Sequence, residues 1–166
     1  MFKIFNKSNN QNYINFLANH SPTAIAYIKG NKDFPNIDGK VEFFETSSGV
    51  LVLSSIKNLP TNLNNGDFFA MHIHNGDNCN EDASGNFNDS THFDKNNNSH
   101  PKHSGDFPNL LSNNGFAFSI FLTNRFNVND VIGKTVFIHA NADDGRSDPN
   151  GNSGRKIACG KILKRY

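Results

Sequence analysis

The sequence predicts an all-β protein, a Greek-key β-sandwich or barrel of about eight antiparallel strands that carries long loops. From residue 22 onward, short apolar runs alternate with segments rich in Gly, Asn and Pro, as strands alternate with turns. Long helical periodicity is almost absent from the same part of the chain. Between Asn75 and Leu111 the pattern predicts neither strand nor helix, and such loops beyond about 15 residues are uncommon unless they are functional or tied down.

Seven apolar runs supply the predicted strands. In chain order they are TAIAYIKG, KVEFFE, GVLVLSSI, DFFAMHIH, GFAFSIFL, KTVFIHA and IACGKIL. Alternate side chains of a strand point to the same face, so we expect Val41 and Phe43 of the second run on one face. With no long helix between them, these runs favour an antiparallel arrangement over a parallel one.

A chain of 166 residues is long enough to bury the core of a single domain, which we expect over residues 22–166. Residues 1–21 form an N-terminal extension with a weak helical pattern around Tyr13, Ile14, Phe16 and Leu17. We expect this extension to be a short helix or a disordered tail.

The charge balance excludes some classes of partner. The 16 Lys and Arg nearly cancel the 15 Asp and Glu, and no basic run occurs, so nucleic acid is not an expected partner. No stretch approaches the ~20 apolar residues that span a bilayer. The first 20 residues lack the apolar run of a secretory signal, so we expect a cytoplasmic protein, or an extracytoplasmic one if a leader has been removed.

Two histidines stand one residue apart at the end of the fourth run. Because side chains i and i+2 of a strand point the same way, His72 and His74 present two imidazoles on one face. That pair suits a metal that prefers nitrogen, such as copper or zinc. By itself the pair is weak evidence, because neighbouring histidines also occur by accident on protein surfaces.

The long loop adds four further candidate ligands. His92, His100, His103 and Asp106 follow one another within fifteen residues. Three imidazoles and a carboxylate match the four nitrogen and oxygen ligands of a closed structural zinc site. Metal binding would also order the loop, because it contributes folding free energy. The alternative is a hydrophilic loop whose histidines are simply solvated.

His139 closes the sixth run and is followed at once by the acidic segment ANADD. A histidine at this strand end can complete a site with His72 and His74, and a nearby carboxylate can accept the second ring N–H of a metal-bound histidine. Six of the seven histidines thus lie between positions 72 and 139 in places compatible with metal binding. The two cysteines, Cys79 and Cys159, are compatible with unrelated buried thiols or with a disulfide.

Together these segments resemble the copper/zinc superoxide dismutase family. The matching elements are HIHNGDNC, HFDKNNNSHPKHSGDFPNL, VIGKTVFIHANADD and SGRKIACGKI, in the order of the family. The resemblance covers about residues 22–164, and GDFPNL and the short step from His74 to Cys79 look most like bacterial members. It implies an enzyme that converts superoxide to oxygen and hydrogen peroxide by alternating reduction and oxidation of copper, with a structural zinc.

The resemblance also implies a role for each matching residue. Asp143 would link a copper histidine to a zinc histidine, and Cys79 and Cys159 would form a disulfide that ties the loop to the last strand. His92 would bridge the two metals and serve catalysis by taking up a proton. The copper ligands would be His72, His74, His92 and His139, and the zinc ligands His92, His100, His103 and Asp106.

Two departures from the family pattern affect the expected activity. Lys156 stands where the family usually has an arginine at the copper channel, with Arg155 one residue earlier. Lysine supplies charge without the two-pronged hydrogen bonding of a guanidinium, so we expect reduced but present activity, unless a bulge turns Arg155 into the channel. The separation of His100 and His103 is shorter than in many members of the family.

Two other interpretations compete. A cupin-type metalloprotein would use the histidine pair and a later Glu, for which Glu81 could stand in, but it leaves the loop ligands and both cysteines unexplained. A copper and zinc storage or delivery protein would use the same ligands without turnover. Superoxide is the expected small-molecule partner, and the chain is expected as a monomer or a homodimer.

Overall fold

The computed structural model describes residues 15–64, 66–88 and 90–166. The greater part of the predicted N-terminal extension, residues 1–14, lies outside the described residues. Residues 15–19 are helical, with Phe16 and Leu17 half-buried. The Phe16 ring meets that of Phe44 edge-on at 6.1 Å, so this helix covers part of the outer surface of the sheet.

Nine antiparallel strands make up the described domain, as the fold-class prediction of an all-β Greek-key protein requires. They are β1 (Ala24–Gly30), β2 (Asp38–Thr46), β3 (Gly49–Lys57), β4 (Phe68–Phe69), β5 (Met71–His74), β6 (Leu110–Asn113), β7 (Phe116–Thr123), β8 (Thr135–His139) and β9 (Lys156–Lys164). A single-turn helix, Val128–Val131, lies between β7 and β8. None of the described helices is long and apolar enough to cross a membrane.

The strands form one sheet in the order β4-β6-β7-β3-β2-β1-β9-β8-β5. Its two end strands, β4 and β5, are consecutive in the chain and separated by Ala70 alone. The ends of the sheet therefore meet, and the sheet curls into a nearly closed barrel, which leaves few unpaired edges. The pairing of β3 with β7 and of β1 with β9 joins distant parts of the sequence, as a Greek key does.

The core fills the inside of this barrel. Val41 and Phe43 are both fully buried, so the predicted alternation of β2 is confirmed. Phe69 points inward from β4, and Met71 and Ile73 point inward from β5, the strand that carries the histidine pair. Each such side chain contributes about 1.5–3 kcal/mol when it is fully buried. The apolar packing under β5 therefore holds the backbone from which His72 and His74 project outward.

The observed strands differ from the seven predicted runs at two places. The run DFFAMHIH is divided at Ala70 into β4 and β5, which pair with different neighbours. β6 was not predicted, because four residues after a long loop give too little periodicity to recognise. The turn Asn114-Gly115 that joins β6 to β7 has positive φ at both residues, which is the geometry that Asn-Gly favours in two-residue hairpins.

Candidate metal centre

Three of the candidate ligands project from two paired strands. β5 and β8 are antiparallel neighbours, with His72 opposite Phe137 and Ile73 opposite Val136. His72 and His74 leave β5 on the same face, and His139 ends β8. All three side chains are buried, at no more than 3% exposure. The histidines therefore form a compact cluster beneath the surface.

The long loop returns along the outer edge of β5. The N–H of Phe93 donates to the carbonyl of Ile73 at 2.7 Å, and the N–H of Ile73 donates to the carbonyl of Gly105 at 2.9 Å. A Cβ at Gly105 would lie 2.5 Å from the oxygen of Ile73, so this approach requires glycine. These contacts place His92 opposite His74 and Asp106 opposite His72.

The structure brings all seven predicted ligands into two adjoining groups that share one residue. In each group the potential ligand atoms all lie within 4.8 Å of one another. The members of the first group are His72, His74, His92 and His139, and those of the second are His92, His100, His103 and Asp106.

Hydrogen bonds select which nitrogen of each strand histidine faces the first group. Nε2 of His72 lies 2.7 Å from Oδ2 of Asp143, which leaves its Nδ1 buried without a hydrogen-bond partner among the described residues. Nδ1 of His74 bonds to the carbonyl of Ser90 at 2.7 Å, and Nδ1 of His139 bonds to that of Gly154 at 3.1 Å. The Nε2 atoms of His74 and His139 then face each other at 3.3 Å.

His92 faces both groups. Its Nδ1 lies 2.7 Å from Oδ1 of Asp106, and its Nε2 is buried without a hydrogen-bond partner in the described part of the chain. The ring centroid lies 4.1 Å from that of His72 and 4.7 Å from that of His74. One imidazole can thus offer Nε2 to the first group and Nδ1 to the second.

The second group surrounds the carboxylate of Asp106. Nδ1 of His100 and Nδ1 of His103 lie 3.1 and 3.2 Å from Oδ2 of Asp106, yet neither meets the geometry of a hydrogen bond to a described residue. The N–H of His103 also donates to Oδ2 at 2.9 Å. Buried nitrogens without partners are costly in a protein interior, and a bound metal would satisfy them. The residues fit copper in the first group and zinc in the second, by ligand type and number.

Asp143 connects the two groups. Its Oδ2 accepts from Nε2 of His72 at 2.7 Å, and its Oδ1 lies 2.9 Å from Nε2 of His100. Asn109 holds this residue in place through two hydrogen bonds to its backbone, at 2.8 and 2.9 Å. Burial opposes ionisation of the Asp143 carboxyl, but the hydrogen bonds from His72, Gly145 and His100 outweigh it and lower the pKa to about 2.

Burial dominates the titration of the strand histidines. It lowers the pKa of His72 despite the hydrogen bond to Asp143. It lowers the pKa of His74 and of His139 well below the usual value, and the neighbouring imidazoles add to the effect. These rings are therefore neutral at neutral pH, which is the form that binds metals.

A cavity of about 480 Å³ opens beside the first group, lined by His74, His92, His139, Arg155 and Lys156 among others. Nζ of Lys156 donates to the carbonyl of Asn88 at 3.2 Å and lies 4.7 Å above the ring of Phe137. The ammonium group is thus held at the cavity wall.

Arg155 lies at the same cavity, but its guanidinium is paired with a carboxylate. Its Nη2 donates to Oδ2 of Asp33 at 2.7 Å, and the group lies 5.3 Å from the ring centroid of Phe34. The β8–β9 register shifts at this point, since Ile138 pairs with Ala158 and His139 with Lys156. The β8–β9 ladder therefore contains a bulge here, and both cations line the cavity.

A disulfide joins Cys79 to Cys159, which confirms the pairing that the family resemblance implied. It ties the segment after β5 to the last strand, and the chain-entropy model gives about 4 kcal/mol for so long a loop. Beside it, the N–H of Lys32 donates to Oε2 of Glu81 at 3.0 Å. Glu81, the residue needed for the cupin interpretation, belongs to neither ligand group of the described residues.

Several residues that support the ligands were not predicted from the sequence. They include Asn109, which orients Asp143, and the carbonyls of Ser90 and Gly154, which bind two of the histidine rings. A backbone carbonyl has no signal in the sequence, and a lone asparagine in an Asn-rich chain has almost none.

Comparison with known proteins agrees with this centre. Residues 37–162 match the family described as copper/zinc superoxide dismutase. The chain is 34% identical over 137 residues to Cu-Zn superoxide dismutase 2 of Aquifex aeolicus, covering 75% of this chain and 78% of that protein. It is 34% identical over 148 residues to the Cu-Zn superoxide dismutase of Legionella pneumophila, covering 84% and 85%.

A solved structure shows the same fold. The crystal structure of a double mutant of a SOD-like protein from Bacillus subtilis matches with a TM-score of 0.65 and 27% identity, covering 84% of this chain and 96% of that chain. Fold and site together define a Greek-key β-barrel metalloprotein with two adjoining candidate metal sites that share a histidine. The chain belongs to the copper/zinc superoxide dismutase family. Its cofactors are copper and zinc.

Proposed function

We propose that this chain dismutes superoxide with the two ligand groups in separate roles. Two superoxide ions and two protons give one oxygen molecule and one hydrogen peroxide molecule. The copper ligands are His72, His74, His92 and His139, and the zinc ligands are His92, His100, His103 and Asp106.

The observation that carries this proposal is the position of His92. Its two ring nitrogens face different ligand groups, one beside Asp106 and the other among the buried strand histidines. A storage protein needs ligands for each metal but has no need for one ring to serve both. The shared imidazole therefore favours a catalytic centre over two independent binding sites.

Copper, when bound, supplies the one-electron redox chemistry, and zinc, which keeps a single valence, fixes the loop. His92 handles the proton. Because Nδ1 stays in the zinc group, Nε2 can hold a proton on the side of the cavity. From there the proton can pass to the superoxide that leaves as hydrogen peroxide.

Lys156 attracts the substrate. Superoxide is a small anion, and a positive charge at the wall of a narrow cavity raises its local concentration and its rate of encounter. Asn88 and Phe137 hold the ammonium group of Lys156 beside the copper group. The charge of Arg155 is partly offset by Asp33, so its contribution to attraction is the smaller of the two.

The first experiment measures copper and zinc per chain in the purified protein, and then superoxide dismutation by the same sample after copper loading. We expect one copper and one zinc per chain with cyanide-sensitive turnover. Full occupancy without turnover would instead identify a storage or delivery protein. Binding of zinc with refusal of copper would contradict the four-histidine group.

His20 offers a matched control for the ligand assignments. It is the seventh histidine, is exposed, and stacks on Phe16 at 4.1 Å, outside both ligand groups. His20→Ala should keep both metals and the full rate, whereas His72→Ala should lose copper. The chain acts as a monomer or a homodimer in this proposal, and sedimentation velocity distinguishes the two.

A further inference from the structure

Arg125 lies outside both ligand groups, in the short connection between β7 and the helix Val128–Val131. Its Nη1 donates to three backbone carbonyls of the long loop, those of Pro101 at 3.1 Å, His103 at 3.0 Å and Asp106 at 3.3 Å. Since Nη1 carries two hydrogens, at least two of these acceptors share one N–H. A single nitrogen thus gathers three carbonyls around itself.

These three carbonyls belong to the segment that carries the loop ligands. Two are the carbonyls of His103 and Asp106 themselves, and the third is that of Pro101, which directly follows His100. No strand covers the described residues between 75 and 109, so this segment has little ladder pairing to fix it. Hydrogen bonds from a guanidinium are charge-assisted and stronger than those between neutral groups.

We infer that Arg125 is a positioning residue for the zinc ligands. By holding the carbonyls of Pro101, His103 and Asp106 around one nitrogen, it fixes the backbone from which the loop ligands project. The ligands are then arranged before the metal arrives, and less conformational entropy is lost on binding. The inference rests on the zinc group of the proposed function.

The charge of Arg125 acts in the opposite direction. A cation near a metal site disfavours binding of a second cation, so charge alone would weaken zinc binding. The residue is exposed, however, and water and salt screen its charge strongly at that surface. The hydrogen bonds are short-ranged and directed, so positioning outweighs repulsion. Removal of the guanidinium is therefore expected to lower zinc affinity rather than raise it.

The test replaces Arg125 by Gln in the full chain and measures zinc affinity by competition with a chelator. We expect zinc affinity to fall about tenfold, the lower end of the range for residues that orient metal ligands from outside. Cobalt(II) bound in place of zinc should show altered visible absorption bands, because these report the ligand geometry. Copper affinity at the strand histidines and the melting temperature of the metal-free protein should stay near those of the parent.

Two further variants test whether the geometry of the Arg125 guanidinium, its charge, or the loss of any exposed arginine is responsible. Arg125→Lys keeps the charge but loses the planar fork, so it should remain weak in zinc affinity. Arg165→Gln removes another exposed arginine, beyond the end of β9, and should leave zinc affinity and cobalt spectrum unchanged. Recovery of the parent affinity by Arg125→Lys would show that charge, and not geometry, is responsible.

These readouts do not depend on turnover. A parent protein that binds zinc in an Arg125-dependent manner but fails to dismute superoxide would refute the proposed function and keep this inference. Parent-like zinc affinity in Arg125→Gln would overturn the inference while leaving the function intact. A fall in the stability of the metal-free protein, matched by losses at both metals, would also overturn it, because Arg125 would then support the fold in general.

Discussion

The copper and zinc groups are built by different parts of the fold. Three of the four proposed copper ligands project from β5 and β8, two paired strands with a fully buried apolar face beneath them. The proposed zinc ligands all lie on the long loop between β5 and β6. Only His92 belongs to both groups. Strand pairing thus places most of the copper site, whereas loop contacts place the zinc site.

The two sites are therefore held together by different interactions. The strand histidines need only the hydrogen bonds that select their ring nitrogens, because the β5–β8 ladder already fixes their backbone. The loop ligands need contacts from outside the loop, made by Asp143 and Arg125. The copper site should therefore keep its shape without zinc more readily than the zinc site keeps its shape without the outside contacts.

The most direct test of whether the two groups are built separately is to remove one ligand from each of them. His139→Ala takes one nitrogen from the copper group, and copper affinity and dismutation should fall by more than about 100-fold. Zinc binding should remain, because the loop and its contacts are unchanged. In His103→Ala zinc affinity should fall instead, while the strand histidines still bind copper. Loss of both metals in both variants would contradict separate construction.

Asp143 belongs to neither ligand group, yet its substitution is predicted to affect both groups at once. Its two oxygens accept from His72 and from His100, and an asparagine has only one acceptor oxygen for those two rings. Asp143→Asn should lower the affinity for each metal about 10- to 100-fold, measured by chelator competition. Asp144→Asn is the matched control, since the Asp144 carboxylate binds Ser147 and Asn152 instead. An effect confined to one metal would argue against the link.

The strand-borne part of the centre could be predicted from the sequence because its period is regular. The alternation of apolar and polar residues places His72 and His74 on one face, and the fold class follows from the same short runs. His139 was predicted to join them only because it also ends an apolar run, and β8 does lie next to β5. The barrel was therefore predictable except for the division of the fourth run into β4 and β5 and for the short strand β6.

The ligands on the loop could be predicted from the sequence, but their arrangement in space could not. The spacing of His92, His100, His103 and Asp106 suggested ligands for one metal, yet no periodicity shows that His92 faces a second group. The contacts of Arg125 and Asn109 join residues far apart in the chain through backbone atoms. Such contacts depend on the closed barrel, and a single sequence carries no signal for them.

The pH dependence of the stability of the metal-free protein tests whether the histidines of the copper group are buried and neutral. Burial lowers the pKa of His74 and His139 well below 6.5, so the folded protein stays neutral at these rings while the unfolded chain takes up protons. Stability is then full above pH 6.5 and falls as the pH drops, by up to about 1.4 kcal/mol per pH unit for each histidine. Denaturant unfolding of the metal-free protein between about pH 7.5 and 5.5 measures this slope.

The same pH titration distinguishes the contribution of these histidines to stability from that of Asp143. The pKa of Asp143 is lowered to about 2 from 3.8, so its contribution is present above pH 3.8 and is lost only below that value. His139→Phe should reduce the slope of the unfolding free energy against pH, between about pH 7.5 and 5.5, by the contribution of about one proton. His20→Ala should leave this slope unchanged. A flat profile in the parent would mean that water reaches the strand histidines.

The smallest expected effect concerns the two cations at the cavity. Lys156→Ala should lower kcat/KM by several-fold, on the order of 3- to 10-fold at low salt, and should weaken the salt dependence of the rate. Arg155→Ala should cost less, because Asp33 already offsets its charge. Lys161→Ala, an exposed lysine on the same strand that does not line the cavity, provides the control.

The salt dependence distinguishes attraction from structural support. If Lys156 acts by attraction, the parent and Lys156→Ala rates should converge as ionic strength rises. Salt screens the electrostatic attraction between Lys156 and superoxide, which is the same contribution that the substitution removes. A difference that persists at high salt would mean that Lys156 acts through its contacts with Asn88 and Phe137, by shaping the cavity. If Arg155→Ala loses the greater part of the salt dependence instead, the bulge at the start of β9 directs Arg155 toward the substrate. If neither substitution lowers the rate, attraction by these cations is not part of the mechanism.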